Sequence, residues 1–179
     1  MFYIISLLLI LAAGWLWRRE RVHAIHQEDA SWLPLELQRA TLQYTEHQFF
    51  TKFPFQLVAR VDRAYLAADN KIILVDFKRR KIKRAFLSDV VEISAQRLAM
   101  QGAGIKNVEM HAYVVVIDPE TNRKTPVLVD LEDKSSLIRR QYRLNTLRNG
   151  VVEPTRTSHK RLCATCGHHS YCPGTEARK

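Results

Sequence analysis

The stretch KIILVDFKRRK, residues 71–81, decides how this chain is read. Four apolar residues (Ile72, Ile73, Leu74 and Val75) run straight into Asp76, Phe77 and Lys78. A strand puts residues i and i+2 on one face, so Ile72, Leu74, Asp76 and Lys78 share a side. Ala68-Asp69-Asn70 just before it is a turn signal, and FQLVARVDRAYLA, residues 55–67, is strand-like. The two segments therefore read as a hairpin. Asp62 sits within the first of them, flanked by apolar residues, where an acid is costly unless something positive compensates it. Asp76 follows fourteen residues later on the paired strand. Two carboxylates on neighbouring strands can bind one hard divalent cation through oxygen. A lysine beside them can hold a water or stabilise charge on a phosphate. Taken alone, the same residues also read as an ion-pair cluster at a strand end.

Outward from the hairpin, TLQYTEHQFF, residues 41–50, is a further strand with mixed alternation. SDVVEISAQRLAMQG, residues 88–102, reads as a helix with Ser88 as N-cap, acids in the first turn and Gly102 as C-cap. Val90, Ile93, Arg97 and Met100 make its best stripe. VEMHAYVVVID is a nearly continuous apolar strand, expected to be central and covered on both faces. PETNRK is a turn, TPVLVDL pairs back as a strand, and DKSSLIRRQYRLNTLRNG is a basic helix ending at Gly150. This order predicts an α/β or α+β domain with one mixed sheet flanked by helices.

The 179 residues carry 28 Lys+Arg against 18 Asp+Glu, a net charge of +10, and are 46% hydrophobic. That composition supports a packed core and excludes a disordered chain. The positive excess favours a polyanionic partner, either nucleic acid or an anionic membrane surface. Residues 2–17, FYIISLLLILAAGWLW, carry no charge and are followed at once by Arg18, Arg19 and Arg21. As a helix they span roughly 24 Å, slightly short of a bilayer core of about 30 Å. Trp15 and Trp17 suit an interface, and the arginines put the following side in the cytoplasm. The run reads as a single-pass inner-membrane anchor; a cleaved signal peptide and a buried helix are the competing readings. The expected organisation is an anchor with its helical extension over 1–28, a domain over 29–152, and a cysteine-bearing tail over 153–179 packed on that domain.

Asp62 followed by Asp76-Phe77-Lys78 resembles the PD-(D/E)XK nuclease superfamily, in which an Asp precedes (Asp/Glu)-X-Lys on a hairpin. Gln96 on the next helix looks like the Q-x-x-x-Y element of the RecB-like branch, with Met100 where that pattern has tyrosine. Cys163-x2-Cys166-x5-Cys172 has the spacing of the C-terminal cysteine triplet of the CRISPR-associated RecB-like exonucleases. The resemblance covers residues 21–173 and implies a restriction-endonuclease-like fold and a metal-dependent deoxyribonuclease acting as an exonuclease. By the same resemblance Asp62, Asp76 and the Phe77 carbonyl hold Mg²⁺ or Mn²⁺, Lys78 positions the attacking water, and Gln96 supports the site. That branch often adds a histidine ahead of the sheet; His26 is preferred here over His23. Met100 and the absent fourth cysteine favour the alternative, a catalytically inactive, membrane-anchored DNA-binding or assembly protein. Glu46 and Glu92 are expected as solvated surface acids, with extra acids near the site as the competing reading.

Arg79, Arg80, Lys81, Lys83 and Arg84 directly follow the acid-bearing strand and read as a phosphate-backbone surface for DNA. All three cysteines of the chain lie within CATCGHHSYC. Such crowding suits a soft-metal site in a reducing compartment rather than disulfides. The expected ligands are Cys163, Cys166 and Cys172 with His168, holding either a [4Fe-4S] cluster or Zn²⁺, with a metal-free tail as the third reading.

Overall fold

Alternating apolar and β-favouring residues in the first half of the chain build a hairpin, and the computed structural model shows how it continues into a sheet. The model describes residues 30–155, 157, 162, 163, 166, 167, 169 and 172. Two short 3₁₀ turns, Ala30–Trp32 and Leu35–Leu37, lead into strands β1 (Thr41–Thr51), β2 (Leu57–Leu66) and β3 (Ile72–Arg79). Helix α1 (Leu87–Gly102) crosses to β4 (Val108–Ile117), which turns back into β5 (Lys124–Asp130) and then helix α2 (Lys134–Arg148). The five strands stand in sequence order in one sheet. β3 and β4 run parallel, and the other three pairs are antiparallel. The parallel pair needs a crossover, and α1 supplies it. The result is a mixed α/β domain whose five-stranded central sheet is covered by α1 on one face and by the 3₁₀ turns on the other. The chain divides into two compact units, residues 1–138 and 139–179.

β3 alternates between two cores. Ile72 and Leu74 pack with Ile93, Ala99 and Met100 of α1 on one face. Ile73 and Val75 pack on the other with Trp32, Leu33 and Leu37 from the 3₁₀ turns. Asp76 and Lys78 thus fall on the α1 side, as the two-residue period requires. Asn70 takes φ 64 in the turn before β3, a conformation asparagine tolerates well.

Helix α1 starts earlier than expected. Its N-cap is Phe86, and Asp89 at N3 accepts the Phe86 N–H at 2.8 Å, while Ser88 is exposed. An acid reaching back to the N-cap amide satisfies one orphan donor and complements the helix dipole. Met100 is fully buried in the core. The tyrosine of the family pattern is therefore replaced by a packing residue rather than by a solvent-facing one.

The far half of the β1–β2 hairpin closes over α1. Phe49 joins the same core as Met100. A Cβ built on Gly102 would stand 2.1 Å from Thr51 Oγ1, so the helix end touches the hairpin through a residue without a side chain. Glu46 takes φ 48 within β1, opposite Asp62, while the pairing keeps its register on either side, Thr45↔Arg63 and His47↔Val61. The register shift of this strand pair lies between Leu42 and Tyr44. Among the described residues no helix is long and apolar enough to cross a membrane. The apolar run 2–17 lies outside the described residues.

Candidate active site

The site begins where a ladder ends. β2 and β3 are paired from Leu66↔Ile72 to Arg63↔Val75, and the pairing stops one residue before Asp62 would oppose Asp76. The β3 amides alternate in direction. Ile72 N–H donates to Asn107 O and Arg80 N–H to Ile117 O, so the even-numbered residues point at β4. Phe77 consequently points its N–H and its carbonyl at the β2 side, because both groups of one strand residue face the same way. β2 offers no backbone partner there. Asp62 Oδ2 accepts the Phe77 N–H instead, at 2.9 Å. A buried amide must find an acceptor, and here a side chain replaces the missing strand. The amide thereby supplies positive compensation to an acid that is flanked by apolar residues.

Asp76 is 1% exposed, and its Oδ2 receives no hydrogen bond. Lys78 Nζ lies 3.1 Å from that oxygen, close enough for an ion pair. The same ammonium donates to Glu92 Oε2 at 2.7 Å, so it sits between the two carboxylates and nearer Glu92. Burial pushes the Asp76 carboxyl up to about 6; Lys78 pulls it down, and Asp62 and Glu92 add to the rise. Burial alone would lower the Lys78 ammonium, but Glu92 and Asp76 outweigh it and hold its pKa above the ordinary lysine value. The carboxyl is thus buried at a cost that a cation would relieve, and its lysine stays charged.

Gln96 is 2% exposed, and its Oε1 finds no donor. It lies one turn after Glu92 on the same face of α1. Asp62, Asp76 and Lys78 are thus drawn together by β2 and β3, with Glu92 of α1 on Lys78. Glu92 is half exposed, as a solvated acid would be, and it also touches Lys78. No local spacing signals that contact, since it joins a helix to a strand. Glu46 is exposed and pairs with Arg60 at 3.2 Å. His26 and His23 lie outside the described residues.

The donor set fits a hard divalent cation. Asp76 Oδ2 is an orphaned oxygen, Asp62 is beside it, and the Phe77 carbonyl faces the same gap. Among the described residues no three His, Cys, Asp or Glu groups converge as a metal-ligand set. A cation here would use two carboxylates, one carbonyl and water, which is the habit of Mg²⁺.

The basic run is less open than its composition suggests. Arg80 forks onto Asp89, with Nη1–Oδ1 3.2 Å and Nη2–Oδ2 2.6 Å, and lies 4.4 Å over the Phe86 ring. With Phe86 it holds Asp89 below the usual carboxylate range against the opposing pull of burial. Arg80 is thus a brace for the start of α1 rather than an open phosphate contact. Arg79 donates to Asn122 Oδ1 and Pro119 O in the β4–β5 turn. Lys81 pairs with Glu120, and Arg84 lies over Phe86. Lys83 is exposed.

In the second unit, Cys163, Cys166 and Cys172 form no disulfide. They line one cavity of about 260 Å³ together with Thr155, Thr157, Leu162 and His169. The expected ligand His168 lies outside the described residues, whereas its neighbour His169 lines the cavity.

A family model described as the PD-(D/E)XK nuclease superfamily matches residues 6–173. The chain belongs to the PD-(D/E)XK nuclease superfamily. Members of this superfamily are nucleases and generally use divalent metals such as Mg²⁺, and membership implies nucleic-acid binding. No curated protein matches the chain. Among solved structures it is similar to one titled "Crystal structure of SSO0001", at 13% identity and a TM-score of 0.47. That match covers 73% of this chain and 59% of the other, so the chain spans about three-fifths of that protein's length.

Proposed function

We propose that the chain is a divalent-metal-dependent DNA nuclease of the RecB-like exonuclease type. The observation that carries the reading is the Asp62–Asp76–Lys78 cluster at the end of the β2–β3 ladder, with Asp76 Oδ2 buried and unbonded. Asp62, Asp76 and the Phe77 carbonyl hold the cation. When bound, it supplies Lewis-acid polarisation of the phosphodiester. Lys78 Nζ orients the attacking water and donates to the charge that develops on the phosphoryl oxygens. Gln96 Oε1, an acceptor without a donor, receives a hydrogen bond from that water or from the substrate. Lys83 and Arg84 face the phosphate backbone, while Arg80 fixes the loop that carries them.

Residues 2–17, with the arginines that follow, tether this nuclease to the inner membrane with its domain on the cytoplasmic side. The three cysteines and a neighbouring histidine take a soft metal, as a [4Fe-4S] cluster or as Zn²⁺.

The test is cleavage of end-labelled single- and double-stranded DNA with Mg²⁺ or Mn²⁺ and with EDTA. Cleavage should vanish with chelator and in Lys78→Met, and labelled ends should be released as mononucleotides. Equal activity in Lys78→Met and the wild type would remove the assignment.

A further inference from the structure

We infer that Glu92 is a positioning residue of this centre: it draws the Lys78 ammonium toward the helix and so keeps the buried Asp76 Oδ2 accessible to a divalent cation. The inference rests on the metal-dependent reading above and adds to it a residue that the family motif does not contain.

The argument starts from Lys78. An ammonium has three donors and seeks the nearest carboxylate. Asp76 Oδ2 lies 3.1 Å away in an ion pair, and without a second acceptor the ammonium would settle fully on that oxygen, which a cation needs. Glu92 Oε2 at 2.7 Å is the nearer acceptor and draws the ammonium toward the helix, so that Asp76 Oδ2 keeps only the longer contact. Glu92 suits this role because it is not itself desolvated: its side chain is 52% exposed against 1% for Asp76. It can hold the lysine at little cost, and its own direct pull on a cation is screened by water. The other acid on this face of α1, Asp89, is committed to Arg80 and to the Phe86 amide. Asp62, Asp76 and Glu92 against Lys78 leave a formal excess of two negative charges, the complement of one divalent cation.

The test is Mn²⁺ binding to the full chain, followed by electron paramagnetic resonance of free Mn²⁺, for the wild type, Glu92→Gln, Lys78→Met and the double variant. Thermal melts check that each variant folds, and Glu92→Ala serves as a second variant. Releasing Lys78 onto Asp76 should weaken Mn²⁺ binding about tenfold or more in Glu92→Gln, the scale of a charge-assisted hydrogen bond. In the Lys78→Met background the same substitution should change affinity by no more than about twofold, because the lysine through which Glu92 acts is gone. Unchanged affinity in Glu92→Gln overturns the inference. An equal loss in both backgrounds also overturns it, since Glu92 would then be a ligand in its own right. A wild type that binds no Mn²⁺ refutes the metal reading, and the inference with it. That outcome is distinct from a wild type that binds and is indifferent to Glu92.

Discussion

Replacing Asp76 by Asn should stabilise this protein at neutral and alkaline pH. The carboxyl is 1% exposed and is pushed up to about 6, from the ordinary aspartate range near 4, chiefly by burial. Below about pH 4 the group is protonated both folded and unfolded and costs nothing. Between about 4 and 6 the unfolded chain ionises while the folded chain keeps its proton, so stability falls as pH rises. Above about 6 both are ionised and the full cost is present. A rise from near 4 to about 6, with the pull of Lys78 already included, corresponds to about 3 kcal/mol, and local relaxation reduces the usable figure to about 1–3 kcal/mol. Asn keeps the shape and removes the charge. Urea melts in EDTA at pH 8 and pH 4 measure the difference directly. The variant should gain at pH 8, match the wild type at pH 4, and lose both DNA cleavage and the stabilisation that Mn²⁺ gives the wild type. A variant less stable than wild type at pH 8, or a difference that does not change with pH, would refute the burial argument. The expected trade of stability for function is common where active sites store unfavourable charge.

Asp62→Ala should cost about 1–3 kcal/mol in urea melts, because it orphans the Phe77 amide; Asp62→Asn retains an acceptor oxygen and should cost less while still abolishing cleavage. Gly102→Ala should lower stability by about 1–3 kcal/mol, since its Cβ meets Thr51 Oγ1 at 2.1 Å and that hydroxyl is already tied to Phe53 O at 2.8 Å. Arg80→Ala should lower the melting temperature by removing the fork onto Asp89, yet leave the salt slope of DNA binding unchanged. Replacing Lys83 and Arg84 should instead reduce that slope by about one each, which a salt titration of oligonucleotide affinity separates cleanly.

The features legible in the sequence were those encoded locally. The turn at Asp69 and Asn70, the two-residue period through Asp76 and Lys78, and the long apolar strand that became β4 all follow from neighbours in the chain. Gln96 is singled out by the resemblance of its helix to the Q-x-x-x-Y element, not by any local physical signal. The missed features join distant elements. Glu92 meets Lys78 only because α1 crosses back over β3, and nothing in the helix sequence distinguishes it from a surface acid. Arg80 looked like one cation among five, because the acceptors that occupy it (Asp89 and the Arg84 carbonyl) become neighbours only when the loop folds. The helix start was placed at Ser88 by a residue-type preference, but an aspartate reaching back to Phe86 set it earlier.

The pairing of the Phe77 amide with a carboxylate rather than a strand gives this protein an internal gauge. An ordinary sheet amide reports only whether the sheet is intact. This one would report the occupancy of Asp62, because its acceptor is a group that the proposed centre also gives to the cation. Drawing Asp62 toward a cation should lengthen that contact, move the Phe77 amide resonance and alter its exchange with solvent, while Val75, two residues away in the paired ladder, stays constant. One backbone proton can thus follow the loading of the centre without substrate, label or turnover.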